Sequence, residues 1–172
     1  RTRIGIGRTF QIPRPFEGMS GFANRRVAAP SGAAPHGHAA YTRAAETGER
    51  VGLGDVLNAQ AGSLGLLARK RLELARALAS DPTVLLLDEV AGGLTEPEVA
   101  DLVELIRGVQ QEGLAIVWIE HVVHALTQTV RRLACLAGGR LIADGDPFEV
   151  LDDPVVREVY LGTTLTTEED TA

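Results

Sequence analysis

Two adjacent carboxylates, Asp88 and Glu89, follow the apolar run Val84-Leu85-Leu86-Leu87. A run of that kind forms a buried strand, and the C-terminal edge of such strands is where open α/β sheets place their ligands. Acids at that edge are costly unless a cation or phosphate site uses their charge. The plain alternative is a core strand that ends in two solvated acids. A second apolar run, Leu114 to Ile119, also ends in charge, at Glu120-His121. A carboxylate can hold a divalent cation or accept a proton from water, and an imidazole can donate a hydrogen bond to an anion. Gln11, in the stretch GIGRTFQIPRPF, adds an uncharged amide that can ligate a hard cation or its water and swing away without stranding a charge. Pro13 and Pro15 stiffen the segment after it, so movement at Gln11 can be passed on. Read plainly, Gln11 is a surface-loop residue.

The elements that must position these groups are legible around them. Leu66 to Ala79 reads as a helix with Leu67, Leu74, Ala75 and Leu78 on one face and Arg69, Lys70, Arg71 and Arg76 largely on the other. Asp81-Pro82 stops it, because a residue before proline is pushed out of the α region. Thr95 and Glu98 form a capping-box pattern with Pro97 in the first turn. Val99, Leu102, Val103, Ile106 and Val109 then repeat at helical spacing until Gly113. With the strand at Leu114 to Ile119 this makes a β-α-β unit whose two polar strand tips share one edge. Further on, LACLAGGRLIADGDP predicts a hairpin around Gly138-Gly139, and Asp153-Pro154 opens a last short helix through Tyr160. His124 reads as a solvent-facing or packing residue, and His36 and His38 lie in a segment without clear period.

The order RLELARALASDPTVLLLDE, then GLT opening a helix, then VWIEH, resembles the nucleotide-binding domain of ABC transporter ATPases. RTFQIPRPF, AGSLGLLARKRLELARAL, LLLDEVAGGLT, WIEHVVHAL and YLG are similar to the ATP-binding subunits of branched-chain amino acid importers, over about Gly5 to Gly162. The resemblance implies an α/β fold: the C-terminal portion of an ABC-type P-loop ATPase domain, a mainly parallel core sheet flanked by helices, plus part of the helical subdomain. It implies ATP and Mg²⁺ as cofactors. Asp88 falls on the Walker B aspartate that holds the Mg²⁺ shell, Glu89 on the catalytic glutamate that orients or deprotonates water, His121 on the switch histidine, and Gln11 on the Q-loop glutamine, a second Mg²⁺ contact. Met19 to Ala29 matches a helix start of the family, with Ser20 as a cap and Arg25 and Arg26 interrupting its apolar face. Residues 29–49, rich in Ala, Gly, Pro and Ser, read as a loop or weak helix of the helical subdomain. The implied division is residues 12–80 for the Q-loop exit, helical subdomain and signature helix, 81–162 for the Walker B to C-terminal core, and 163–172 for a tail.

The chain departs from the family pattern in three places. Leu64-Gly65-Leu66-Leu67-Ala68 stands where most members have L-S-G-G-Q, so no serine hydroxyl is present. Gly65, Leu66 and Leu67 either turn helix-start amides to an ATP across a dimer or merely pack. Thr95 replaces the aspartate that often ends the loop after the glutamate. No G-x-x-x-x-G-K-S/T occurs, and the one lysine, Lys70, sits on the signature helix. The expectation is therefore a longer ATPase whose phosphate loop precedes Arg1, with these 172 residues inactive alone.

Composition narrows the partners. Seventeen basic against 23 acidic residues, net −6, argue against a nucleic-acid partner held by a basic surface. The single cysteine, Cys135, in the apolar run RLACLA, cannot form an internal disulfide, which suits a cytoplasmic setting. No apolar run approaches the roughly 20 residues of a spanning helix, so membrane association runs through partners. The expected assembly is a second ATPase subunit and transmembrane permease subunits at the cytoplasmic face of the plasma membrane, with an extracytoplasmic solute-binding protein acting indirectly. The alternatives are a urea or amide importer ATPase, a soluble ABC-type ATPase and a non-catalytic remnant.

Overall fold

The computed structural model describes residues 4–28 and 38–161. The chain divides into two compact units, residues 1–125 and 126–172. In the first, β1 (Ile6–Arg8), β2 (Val84–Asp88) and β3 (Ala115–Ile119) form a parallel sheet in the order β1-β2-β3. The register sets Arg8 against Leu86 and Asp88 against Ile119, so all three strands end at one edge.

The central strand alternates. Leu85 and Leu87 are fully buried beneath α3 (Leu66–Ala79) and α4 (Glu96–Gln111), in one core with Leu72, Leu74, Leu78, Leu102 and Ile106. The predicted α4 face is the observed one: Val99, Leu102, Val103, Ile106 and Val109 are its buried residues. Glu98 accepts hydrogen bonds from the Thr95 N–H and hydroxyl, both 2.9 Å, and Gly113 ends the turn at φ +89°. The α3 bounds agree with the sequence reading, but Lys70 does not lie on a solvent face. It is 4% exposed, because its turn of α3 passes beneath the loop after β2.

Three helices pack beside this core. They are α1 (Gly21–Ala28), α2 (His38–Arg50) and α3. Ser20 caps α1 by accepting from the Ala23 N–H at 3.1 Å. Arg25, expected to interrupt an apolar face, is instead fully buried, with Nε donating to the Ala44 carbonyl at 2.7 Å and Gly48 leaving room for its guanidinium. Burial pushes it down to about 10 against the opposing pull of Glu49. Where residues 29–49 read as a loop or weak helix, 38–50 form a regular helix. Its packing residues, Ala44, Thr47 and Gly48, are too small to show a hydrophobic period. The remainder of that stretch, the Gly162 end of the resemblance and the 163–172 tail lie outside the described residues.

The second unit holds the predicted hairpin, β4 (Leu133–Ala137) and β5 (Arg140–Gly145), joined by Gly138 and Gly139 at positive φ. Cys135 is buried against Val150 and Val156. A short helix not anticipated from sequence, α6 (Pro147–Asp152), starts on an Asp146 cap, and α7 (Pro154–Leu161) on Asp153. Between β3 and β4 runs the short α5 (Val123–Thr127). Among the described residues no helix is long and apolar enough to cross a membrane.

Candidate functional site

The strand tips bring the chemistry together. At the end of β1, Thr9 is buried; its N–H donates to the Leu86 carbonyl at 3.0 Å, and its Oγ1 accepts from the Asp88 N–H at 3.3 Å. The chain leaving β1 carries Gln11, whose Nε2 donates to Glu89 Oε2 at 2.5 Å. Glu89 is held by its N–H donating to the Ile119 carbonyl, 2.9 Å, and turns in the left-handed region at φ +45°. His121, just past β3, places Nδ1 3.7 Å from the same Glu89 oxygen. Lys70 Nζ, from α3 below, donates to the Glu89 carbonyl at 3.3 Å.

Gln11, Leu66, Lys70, Glu89, Gly93 and His121 are among the walls of a cavity of about 380 Å³. Three expected site residues, Gln11, Glu89 and His121, thus converge on one space. Leu66 of the degenerate signature also faces it, 43% exposed. Gly65 and Leu67 are not among its walls; Gly65 is the exposed N-cap of α3. Nor does Asp88 line the cavity. Its Oδ2 pairs with Arg8 Nη2 at 2.9 Å, one residue before the turn that carries Glu89. Arg8 was not singled out from sequence, and β1 is too short to announce itself by period.

Oxygen donors suit a hard divalent cation, and the Asp88 carboxylate and the Gln11 amide carbonyl are of that type. Among the described residues no three His, Cys, Asp or Glu side chains form a metal cluster. Asp88 and Gln11 would offer a Mg²⁺ one carboxylate and one amide oxygen, a donor set of the kind that ion takes together with water. The positive and donor groups around the cavity are the Lys70 ammonium, the Gln11 amide and the His121 ring. Burial pushes Lys70 below the usual lysine range, opposed by the carboxylates of Glu120 and Glu89. A glycine-rich loop with its lysine is not supplied by these residues.

Comparison with known proteins bears on the family. A family model described as branched-chain amino acid ATP-binding cassette transporter matches residues 140–165. The lipopolysaccharide export system ATP-binding protein LptB of Acidithiobacillus ferridurans is 38% identical over 94 residues, 55% of this chain and 39% of that protein. The high-affinity branched-chain amino acid transport ATP-binding protein BraF of Pseudomonas aeruginosa is 33% identical over 181 residues, 93% of this chain and 69% of BraF. The ADP conformation of MJ1267, an ATP-binding cassette of an ABC transporter, superposes with a TM-score of 0.84 at 25% identity, covering 94% of this chain and 70% of that one. The chain spans well under half of the LptB relative and a little over two thirds of the other two. With one third of its residues identical to BraF along nearly its whole length, and the MJ1267 fold beneath them, the chain belongs to the ABC transporter ATPases, among the ATP-binding subunits related to branched-chain amino acid transporters.

Proposed function

We propose that these residues form the hydrolytic side of an ATP site in the ATP-binding subunit of an importer for branched-chain amino acids. The observation that carries the reading is the meeting of the Gln11 amide, the Glu89 carboxylate and the His121 imidazole at one cavity on the tips of parallel strands. Hydrolysis needs a positioned water, a proton acceptor and donors toward the γ-phosphate. Glu89 is the acceptor, oriented by Gln11. His121 supplies a donor toward the phosphate. Mg²⁺, when bound, would neutralise charge on the phosphates; Asp88, now paired with Arg8, would hold it together with the amide oxygen of Gln11, whose Nε2 stays with Glu89. The same Gln11 contact ties the site to the segment that leads into α1, the route by which permease subunits sense nucleotide. Gly65, Leu66 and Leu67, at the start of α3, face an ATP held by the second ATPase subunit of the pair. Attachment to permeases puts the subunit at the cytoplasmic face of the membrane, and a solute-binding protein acts through those permeases.

The importer reading over an exporter rests on coverage. The match to BraF covers 93% of this chain, that to the export protein LptB only 55%. In the full-length protein Glu89→Gln is expected to cut Mg²⁺-dependent ATP turnover about a hundredfold or more while ATP still binds. Undiminished turnover would remove Glu89 from the role. Loss of branched-chain amino acid uptake in cells carrying that variant tests the substrate; unchanged uptake with inactive enzyme would exclude it.

A further inference from the structure

The roles above leave Glu120 unexplained. Glu120 is a buried carboxylate whose side chain is wholly enclosed. Its Oε1 accepts from the Ala91 N–H at 2.8 Å. Its Oε2 accepts from the His121 N–H at 3.0 Å and the Val122 N–H at 3.4 Å. Ala91 lies two residues beyond Glu89, so a single carboxylate joins the loop bearing the proton acceptor to the loop bearing the imidazole. The His121 ring turns back on the same group, with Nδ1 3.4 Å from Glu120 Oε2 and 3.7 Å from Glu89 Oε2.

We propose that Glu120 is the positioning residue of this site: by accepting from the backbone of both loops it locks the Glu89 loop to the His121 loop, so that the Glu89 carboxylate and the His121 ring reach the cavity together. The proposal rests on the ATP-site reading above. Glu120 acts only through its neighbours. A carboxylate is required because three backbone N–H groups and an imidazole converge on its two oxygens. Glutamine offers one oxygen and would turn an NH₂ against other donors. Aspartate keeps both oxygens but falls one methylene short of bridging the two loops.

The kinetics of three variants of the whole protein decide it. Glu120→Gln is expected to lower kcat about ten- to a hundredfold, with KM for ATP changed less than about threefold on the view that the group is remote from binding. Glu120→Asp is expected to recover part of kcat. A Glu120→Gln enzyme with full kcat, or one whose loss lies mainly in KM, overturns the proposal. Glu89→Gln separates the two levels: if it is inactive while Glu120→Gln is fully active, only the positioning role falls; if Glu89→Gln is itself active, the ATP-site reading falls.

Discussion

Glu89 occupies a backbone conformation that side chains avoid, φ +45°. For a residue with a Cβ the left-handed region costs about 1–2 kcal/mol. The strain has a visible use. The turn lets β2 end at Asp88 and still aims the next carboxylate at Gln11 and His121, while Ile119 and Lys70 hold the Glu89 N–H and carbonyl. At ordinary positions alanine outranks glycine; at 89 the order is expected to reverse, with Glu89→Gly more stable than Glu89→Ala by about 1 kcal/mol. Matched urea denaturations read the difference, and an alanine variant at least as stable would show that the turn carries no strain. At this scale the sequence was informative where polar residues end apolar runs, at Asp88-Glu89 and Glu120-His121, whereas Gln11 stood out by its resemblance to the family's loop glutamine. It was misleading where reach matters more than phase. Lys70 belongs by helical position with three arginines, yet its long stem runs under the β2 tip; Arg25 likewise buries its stem and head between α1 and α2.

Among the elements, α4 was legible in full because its apolar spacing, capping box and closing glycine all point to one helix. The cap also makes a statement about pH. Hydrogen bonds from the Thr95 N–H and hydroxyl hold the Glu98 carboxyl below its ordinary value of 4.5. A carboxyl with a depressed folded pKa stabilises the fold above its unfolded pKa, and that contribution is lost as pH falls through the lower folded value. Glu98→Gln is therefore expected to be less stable than wild type at neutral pH, with the gap closing on acidification through that window. A gap that stayed constant from neutral pH to below the window would show that the ionised carboxylate is not what stabilises the cap. The segment after Gln11 was less legible, because its anchors are single polar side chains without period. Asn24 accepts from the Phe16 N–H and donates to the Phe16 and Ser20 carbonyls, and Arg76 of α3 donates to the Arg14 carbonyl. These bonds make α1 and α3 the supports of the Gln11 segment, a link that only the fold reveals.

For the whole molecule, the decisive feature is the face of the parallel sheet opposite α3 and α4. Sheets of this type are covered on both sides, and their strands read as continuous apolar runs for that reason. Ala115-Ile116-Val117-Trp118-Ile119 is such a run, so its sequence calls for cover above and below. Among the described residues one side receives it: Ile116 and Trp118 pack into the core, whereas Val117 is 54% and Ile119 61% exposed. Among the described residues this face has no full cover, and the sequence contains no phosphate loop. Both bear on the strand tips, which work best on a dry sheet and beside a cradle for the phosphates. The 172-residue chain on its own is accordingly expected to show no Mg²⁺-dependent ATP turnover, to bind a hydrophobic dye and to associate as its concentration rises. Val117→Thr with Ile119→Thr keeps the β-branched shape while making the face polar, and is expected to lower dye binding and association together. A dye signal that the double variant leaves unchanged would place the exposed apolar surface elsewhere, and measurable turnover by the chain alone would show that these residues hold phosphate without a glycine-rich loop.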